Sequence, residues 1–509
     1  MKTRKKTITN NIQGSARVLV GLLFCLLIAS TVSTAAAAGM HNTIQEYDGA
    51  GTCIVCHQQA GEDFVTSIHN TWLGTAEYID GKNGTQTGKL VGVNDFCIGV
   101  KSNEALCGNC HAGYGLLEND FSIEKIDCLI CHAPDYKKNA SGPDPSINAA
   151  DAARNVGLPT REMCLRCHAT AGGGDNNKRG DLELAMGALN ISKDLDVHMS
   201  AGMTCQDCHT FIDHHVSGRG MDLRVDDTDV LVSCDNEKCH GPMPHANGST
   251  YNQHTDRIYC TTCHITAYGK VHTVEMSRDW EHRTPNEDNA LNTKMYTPTY
   301  VRESNPAPIQ VWWNRRSEIM DLADPVVFDS DGILVMAKPS GGIDDPASKI
   351  YASRLHLGRQ PWDGTYLLPF VTMTVLLSDN MTQALFESTG KIYDPIQYVD
   401  TNRYMGIFHG VSPKDEALIC EDCHEDHMID FEALGYEVEK DASGILIKAT
   451  KPGESLNLAD LSSEDTQKED GTTDSTTDTT TQSTSTPGFG IVYALCGFLA
   501  IVCLQLRRK

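Results

Sequence analysis

Positive charge is scarce in this sequence, and the scarcity sharpens once the two ends are set aside. The 509 residues hold 42 Lys and Arg against 67 Asp and Glu. Five of the bases fall in residues 1–38 and three in residues 487–509, and neither end carries an acid. The body, residues 39–486, is left with 34 bases and a formal charge of −33. A surface of that sign excludes nucleic acid as a partner and suits basic or cationic proteins, or a partner that docks on a local patch. Apolar runs are confined to the ends as well. "MKTRKK", then "VLVGLLFCLLIAS", then "STAAAAG" reads as a secretory signal (1–38) with a small-residue cleavage site near Ala36 to Ala38. The other end has an apolar run from Phe489 to Leu506, just long enough to span a bilayer, followed by Arg507, Arg508 and Lys509. Those cations keep that end cytoplasmic and place the body outside.

Unpaired cysteine is scarcer still. Of 20 Cys, Cys25 lies in the signal and Cys496 and Cys503 lie in the terminal run. Among the remaining seventeen, Cys97 alone stands apart; the other sixteen form pairs, each ending in Cys-His. Seven are C-x-x-C-H: Cys53/Cys56/His57, Cys107/Cys110/His111, Cys128/Cys131/His132, Cys164/Cys167/His168, Cys205/Cys208/His209, Cys260/Cys263/His264 and Cys420/Cys423/His424. The eighth, "CDNEKCH", joins Cys234 to Cys239 and His240 with four residues between the thiols. Disulfides require no His after every second Cys, and zinc needs two such units per ion. Two thiols that form thioethers to one porphyrin, followed by a His that reaches the iron, account for every element of the pattern. Eight covalently bound c-type haems are therefore expected, with "DNEK" bulging at the sixth site. This attachment chemistry belongs outside the cytoplasm, in agreement with the signal.

Seven of the eight sites lie between Cys53 and His264, about one per thirty residues, too few for a conventional apolar core. The haems must then be the core, and the expected fold is a mostly α and irregular multihaem cytochrome c fold with a few β-hairpins in its C-terminal part. The organisation reads as a seven-site core (39–285), a scaffold region with the eighth site (286–453), an acidic, Ser/Thr-rich stalk (454–486) and the terminal segment (487–509). "PVVFDSDGILVMAK", with its Asp-Gly, and "GYEVEKDASGILIKATK" read as hairpins. Sequons at Asn83, Asn139, Asn190, Asn247 and Asn380 are glycan candidates in an exported chain.

Eight irons need up to eight distal ligands, and twelve His lie outside the motifs. The distal candidates are His69, His198, His214, His215, His245, His254, His272 and His409. A bis-His iron is closed to substrate and suits electron transfer, whereas an iron with a weaker distal ligand binds substrate. The functional question is whether one iron differs.

From about residue 50 to 285 the sequence resembles the octahaem tetrathionate reductase family of c-type cytochromes. The carrying stretches are "TSIHNTW", "NDFCIGVKSNEALCGNCHAGYG", "IDCLICH", "GLPTREMCLRCHATAGGGDNNKRGDLE", "DVHMSAGMTCQDCH" and "YNQHTDRIYCTTCH". The likeness weakens after Arg283. It implies a catalytic haem, the second along the chain, with a lysine amine as distal ligand. That places Lys178, in "GGGDNNKRGDL", over the iron held by Cys107, Cys110 and His111. A lysine in a low-dielectric site can lose its proton and donate its lone pair. Arg179 stands where the family pattern usually has His, a change beside the iron that could shift potential or substrate. The resemblance also places Cys97 at that haem, where a thiolate could engage sulfur substrates; read from the residues alone, it is equally a small buried thiol. The "TPGFG" tail resembles the PGF sorting tails of archaeal surface proteins, which are cut and replaced by a lipid.

Two functions follow as expectations. One is a surface-anchored reductase that takes electrons from a membrane-side donor and other redox proteins and reduces a small oxyanion substrate such as tetrathionate or nitrite, or hydroxylamine. The absence of C-x-x-C-K argues against a lysine-proximal pentahaem nitrite reductase arrangement. The other is a conduit that passes electrons from the membrane to an extracellular acceptor. A purely structural surface protein leaves the attachment motifs unexplained.

Overall fold

The computed structural model describes residues 39–452, apart from 97–98, 117, 223–225, 287–293, 426–427 and 443–445. The signal, the stalk and the terminal apolar run lie outside the described residues, as does Cys97.

The expectation of a mostly α and irregular chain holds up to about Ile265 and fails beyond it. In the first part, short helices alternate with turns. The longest is Gly51–Val65, and most of the others have a single turn, such as Leu129–His132 and Cys205–Cys208. Apolar packing there is divided among small clusters, for example Leu129, Ile130, Tyr136 and Ala153 in one and Leu165, Met186 and Met199 in another.

The second part is a seven-stranded mixed sheet rather than a few hairpins. Its strands are β1 (Val274–Asn286), β2 (Met295–Glu303), β3 (Ile309–Trp313), β4 (Ser317–Ile319), β5 (Leu334–Pro339), β6 (Lys349–Trp362) and β7 (Gln397–Gly406). The order is β4-β5-β7-β6-β1-β2, with β3 also paired to β6. β5 runs parallel to β7, and β6 parallel to β1. The central strand β6 is covered on both faces, yet its buried residues include Arg354, His356 and Gln360. Buried strands usually read as apolar runs, so these polar positions hide the strand from pattern reading. Of the hairpin expected in "PVVFDSDGILVMAK", one bridge remains, Phe328 to Leu334, and β5 finds its partners elsewhere. The second expected hairpin is present as β8 (Glu437–Lys440) and β9 (Leu446–Thr450).

The largest apolar cluster lies on this sheet. Trp280, Met336, Leu368 and Phe370 pack against the helices Thr372–Ser378 and Met381–Thr389 through Val375, Met381 and Leu385. The sheet is also tied to the first part: Ile79 bridges Ser317, Gly92 bridges Asp321 and Ile258 bridges Ile350.

Candidate functional site

Most Cys-His motifs sit on a helical turn. Cys53 and Cys56 lie in Gly51–Val65, Cys128 caps Leu129–His132, and Cys164 and Cys167 lie in Arg161–His168. Cys205–Cys208, Cys260–His264 and Cys420–His424 each form one turn. Residues three apart share a helix face, so C-x-x-C turns both sulfurs to one side. The Cys205 turn is fixed by a capping box between Thr204 and Asp207. Cys234 and Cys239 lie instead in a turn closed by Cys239 N–H donating to the Asn236 carbonyl at 2.8 Å.

In the protein chain alone Cys56, Cys208, Cys239 and Cys420 are exposed, and the other twelve motif thiols are half-buried. The helix Gly51–Val65 leaves helical geometry at His57, immediately after Cys56.

Two imidazoles on one first-row metal ion have ring centres about 6 Å apart, from two bonds of about 2 Å and about 1 Å within each ring. Six motif histidines face a second histidine at that separation. The pairs are His57 with His41 (6.0 Å), His168 with His69 (6.1 Å), His132 with His214 (6.4 Å), His240 with His198 (6.0 Å), His209 with His409 (6.1 Å) and His264 with His245 (6.2 Å). His254 lies beside His424: burial and then the His424 charge hold it below its ordinary range. Burial also holds His69 down and takes His168 to about 3, keeping both in the neutral form that binds metal. Paired thiols on one side, a proximal imidazole and a second imidazole at metal-bridging distance fit a c-type haem.

Six distal candidates are thus brought to a motif histidine: His69, His198, His214, His245, His254 and His409. Two are not. The His215 ring meets Asp227 at 2.8 Å, and the His272 ring meets Asp175 at 2.9 Å. His41 was absent from the candidates; its one signal is its place just ahead of the first motif helix.

His111 differs from the other motif histidines. Its Nε2 meets the Asn70 carbonyl at 2.5 Å and its Nδ1 the Gly113 carbonyl at 3.1 Å. The rings beside it are Trp72, at 4.9 Å, and Phe121, at 5.9 Å, and no histidine ring faces it among the described residues. Lys138, fully buried, donates to the His111 carbonyl at 2.6 Å.

Residues 171–183 are polar and rich in glycine, yet the loop is interior. Asn176, Asn177, Lys178, Asp181 and Glu183 are all buried. Long-range partners replace water: Arg354 donates to the Lys178 carbonyl at 2.8 Å, Asn176 donates to the His272 carbonyl, and the Glu183 carboxylate accepts the backbone N–H groups of Lys270, Val271 and His272. Burial pushes the Lys178 ammonium down from 10.5 to about 8, with Asp222 opposing the fall. Its Nζ lies 5.9 Å from the Phe96 ring centre. Lys89, stacked over Trp72 at 4.2 Å, acts electrostatically on both Lys178 and His111. Around the loop, Arg179, Arg278, Arg354 and Arg403 interleave with Asp95, Asp181, Asp222 and Glu275. Arg179 meets Asp222 at 3.0 Å, Arg403 meets Asp95 at 3.3 Å and Arg278 meets Glu275 at 2.6 Å. With Lys178 and Glu183 the cluster holds five cations and five acids, although the chain as a whole is strongly acidic.

Thiols of different motifs also adjoin. Cys53 lies near Cys128, Cys110 near Cys167, Cys164 near Cys205 and Cys234 near Cys260. Cys208 lies near Cys239 and Cys234, and Cys423 near Cys263.

These features agree with what the chain is similar to. Residues 275–427 match the family model "Cytochrome c bacterial", and residues 486–508 match the PGF-CTERM motif. An uncharacterized protein of Archaeoglobus fulgidus is 27% identical over 234 residues, 35% of this chain and 78% of that protein. The crystal structure of octaheme cytochrome c from Shewanella oneidensis superposes with a TM-score of 0.68 at 29% identity, covering 78% of this chain and 97% of that one. The apolar run expected to span a membrane lies within the sorting motif and outside the described residues; among the described residues no helix is long and apolar enough to cross a membrane. The chain is a multihaem c-type cytochrome with a surface-anchor motif at its C-terminus.

Proposed function

We propose that this cytochrome carries eight c-type haems and is an oxidoreductase that reduces a small sulfur or nitrogen oxyanion, or hydroxylamine, at the site of Cys107, Cys110 and His111. When bound, haem supplies one-electron chemistry and, at an iron whose distal ligand can be displaced, a place for a substrate atom. Six of the eight motif histidines face a second histidine at metal-bridging distance, and a seventh, His424, lies near His254; these partners would close their irons. Among the described residues His111 has no such partner, and this single observation carries the reading. Lys178 is its distal partner: the lysine is interior, burial lowers its ammonium to about 8, and it shares Lys89 as neighbour with His111. The expected relations outside the chain are a membrane-side electron donor, other redox proteins and attachment to the outer face of the cell through the C-terminus.

EPR of the oxidised protein, with and without nitrite or cyanide, tests this. One signal among eight is expected to differ and to respond to the added ligand. Eight bis-His signals that no ligand perturbs would overturn it. Lys178→Ala is expected to change that one signal.

The second reading, a conduit to an extracellular acceptor, draws on the adjoining thiols, which set the first site beside the third, the third and second beside the fourth, and the fourth to eighth one after another. Retained electron transfer to an external acceptor with no turnover of oxyanions would select it.

A further inference from the structure

The loop that carries Lys178 reaches a second motif three residues later. Asp181 is 2% exposed. Its Oδ2 accepts the Phe408 N–H at 2.9 Å and the His409 N–H at 3.2 Å, and faces the His409 ring Nδ1 at 2.9 Å. The His409 ring stands opposite that of His209, nearly parallel at 29°. The other paired histidines with a ring hydrogen bond meet neutral acceptors: His132 the Gly157 carbonyl at 2.8 Å, His209 the Ser217 carbonyl at 2.9 Å and His245 the Asn252 side-chain oxygen at 3.2 Å. His198 lies 4.0 Å from Asp196, beyond hydrogen-bond reach. Among the described residues, His409 is thus the one paired histidine whose ring is held by a carboxylate at hydrogen-bond distance.

A carboxylate at one imidazole nitrogen increases the basicity of the other toward a metal. That favours the more highly charged iron, and the effect is strong where water is absent. The nearest compensating charge is Arg179, with Nε 3.8 Å from Asp181, but its Nη1 is taken by Asp222 at 3.0 Å.

We infer that Asp181 is a potential-setting residue, which acts through His409 to hold the haem attached at Cys205 and Cys208 at a lower midpoint than the bis-His sites whose ring N–H groups meet neutral oxygens. This rests on the proposed pairing of His209 with His409. It makes the loop bifunctional: Lys178 serves one site and Asp181 another, and the two are joined through the contacts of Cys205 with Cys164 and of Cys167 with Cys110.

The test is a spectroelectrochemical titration of the haem-loaded full chain. Asp181→Asn is expected to raise one midpoint by at least a tenfold change in equilibrium constant, about 59 mV for one electron, and to leave the others in place. Asp181→Glu is expected to restore it. Arg179→Gln, which removes the opposing cation, is expected to lower the same midpoint, and it keeps the question open to measurement if the amide variant does not accumulate. His409→Ala separates the two layers. If it abolishes one low-spin signal while Asp181→Asn and Arg179→Gln move no midpoint, the inference is overturned and the pairing stands. If it leaves every low-spin signal intact, the pairing falls and the inference with it. A purely structural Asp181 would lower the melting temperature without moving a single midpoint, which also overturns the inference.

Discussion

The ring centres of His69 and His168 stand 6.1 Å apart with their planes at 67°, although the two residues come from separate helices of the first part. His69 sits on a single turn, Ile68–Thr71, whose first N–H donates to Asp227 at 3.0 Å. Replacing His69 with Ala is expected to turn one low-spin signal into a high-spin one at the Cys164/Cys167 site, and added imidazole is expected to reverse it. An unchanged EPR spectrum would remove His69 from the coordination sphere.

The sixth motif sets its thiols further apart in sequence than the others, yet Cys234 lies near Cys260, as thiols of the regular motifs lie near one another. A protease fragment that contains both Cys234 and Cys239 is therefore expected to carry the mass of one haem. Recovery of that fragment without the added mass would reduce the count to seven.

Trp280 has no exposed surface; its ring packs edge-on against Phe370 at 4.9 Å and its Nε1 donates to the Asp95 carbonyl at 2.9 Å. Trp280→Ala is expected to cost about 3–5 kcal/mol. The measurement is the melting temperature of the haem-loaded protein, with Trp280→Phe expected to lose much less. A melting temperature unchanged by Trp280→Ala would mean that the cluster on the sheet contributes little to stability.

Asp222 gives a pH dependence. Burial alone would raise its carboxyl above 3.8, but Arg179, Lys178 and Arg403 more than offset this and hold it lower. A carboxyl lowered on folding stabilises the protein above its unfolded value, and that stability is lost as pH falls through the folded value. The contribution of Asp222 is thus present from about pH 4 upward and disappears below. Asp222→Asn is expected to be less stable than the parent at pH 6, with the gap narrowing as the pH drops below about 4. A gap independent of pH would assign the loss to packing.

What was legible in the sequence was local covalent chemistry. Thiols, spacing and adjacent histidine specify an attachment site within five to seven residues, and the structure sets most of them on the turns that this spacing needs. The hairpin at Glu437–Thr450 was legible because its turn residues are contiguous. Residues 171–183 were legible as a loop but not as a buried one. Their water is replaced by Arg354, by the backbone of Lys270 to His272 and by Asp222, none of which a local reading can find. The sheet was missed because β6 buries Arg354, His356 and Gln360 where an apolar pattern would be sought, and because two of its pairings are parallel and joined by long connections. The pairing of histidines was the least legible, since each partner lies in another segment. His41 was overlooked, and His215 and His272 turned out to be held by carboxylates.

His409 follows the end of β7 by three residues, whereas the motif that it completes ends at His209. On the proposed pairing, the fifth attachment site gains its second imidazole only after the sheet has formed and delivered that residue. The N-terminal sites, whose partners His41, His69 and His214 lie in the first part, have no such wait. Closure of the fifth site would then report that the C-terminal half has folded.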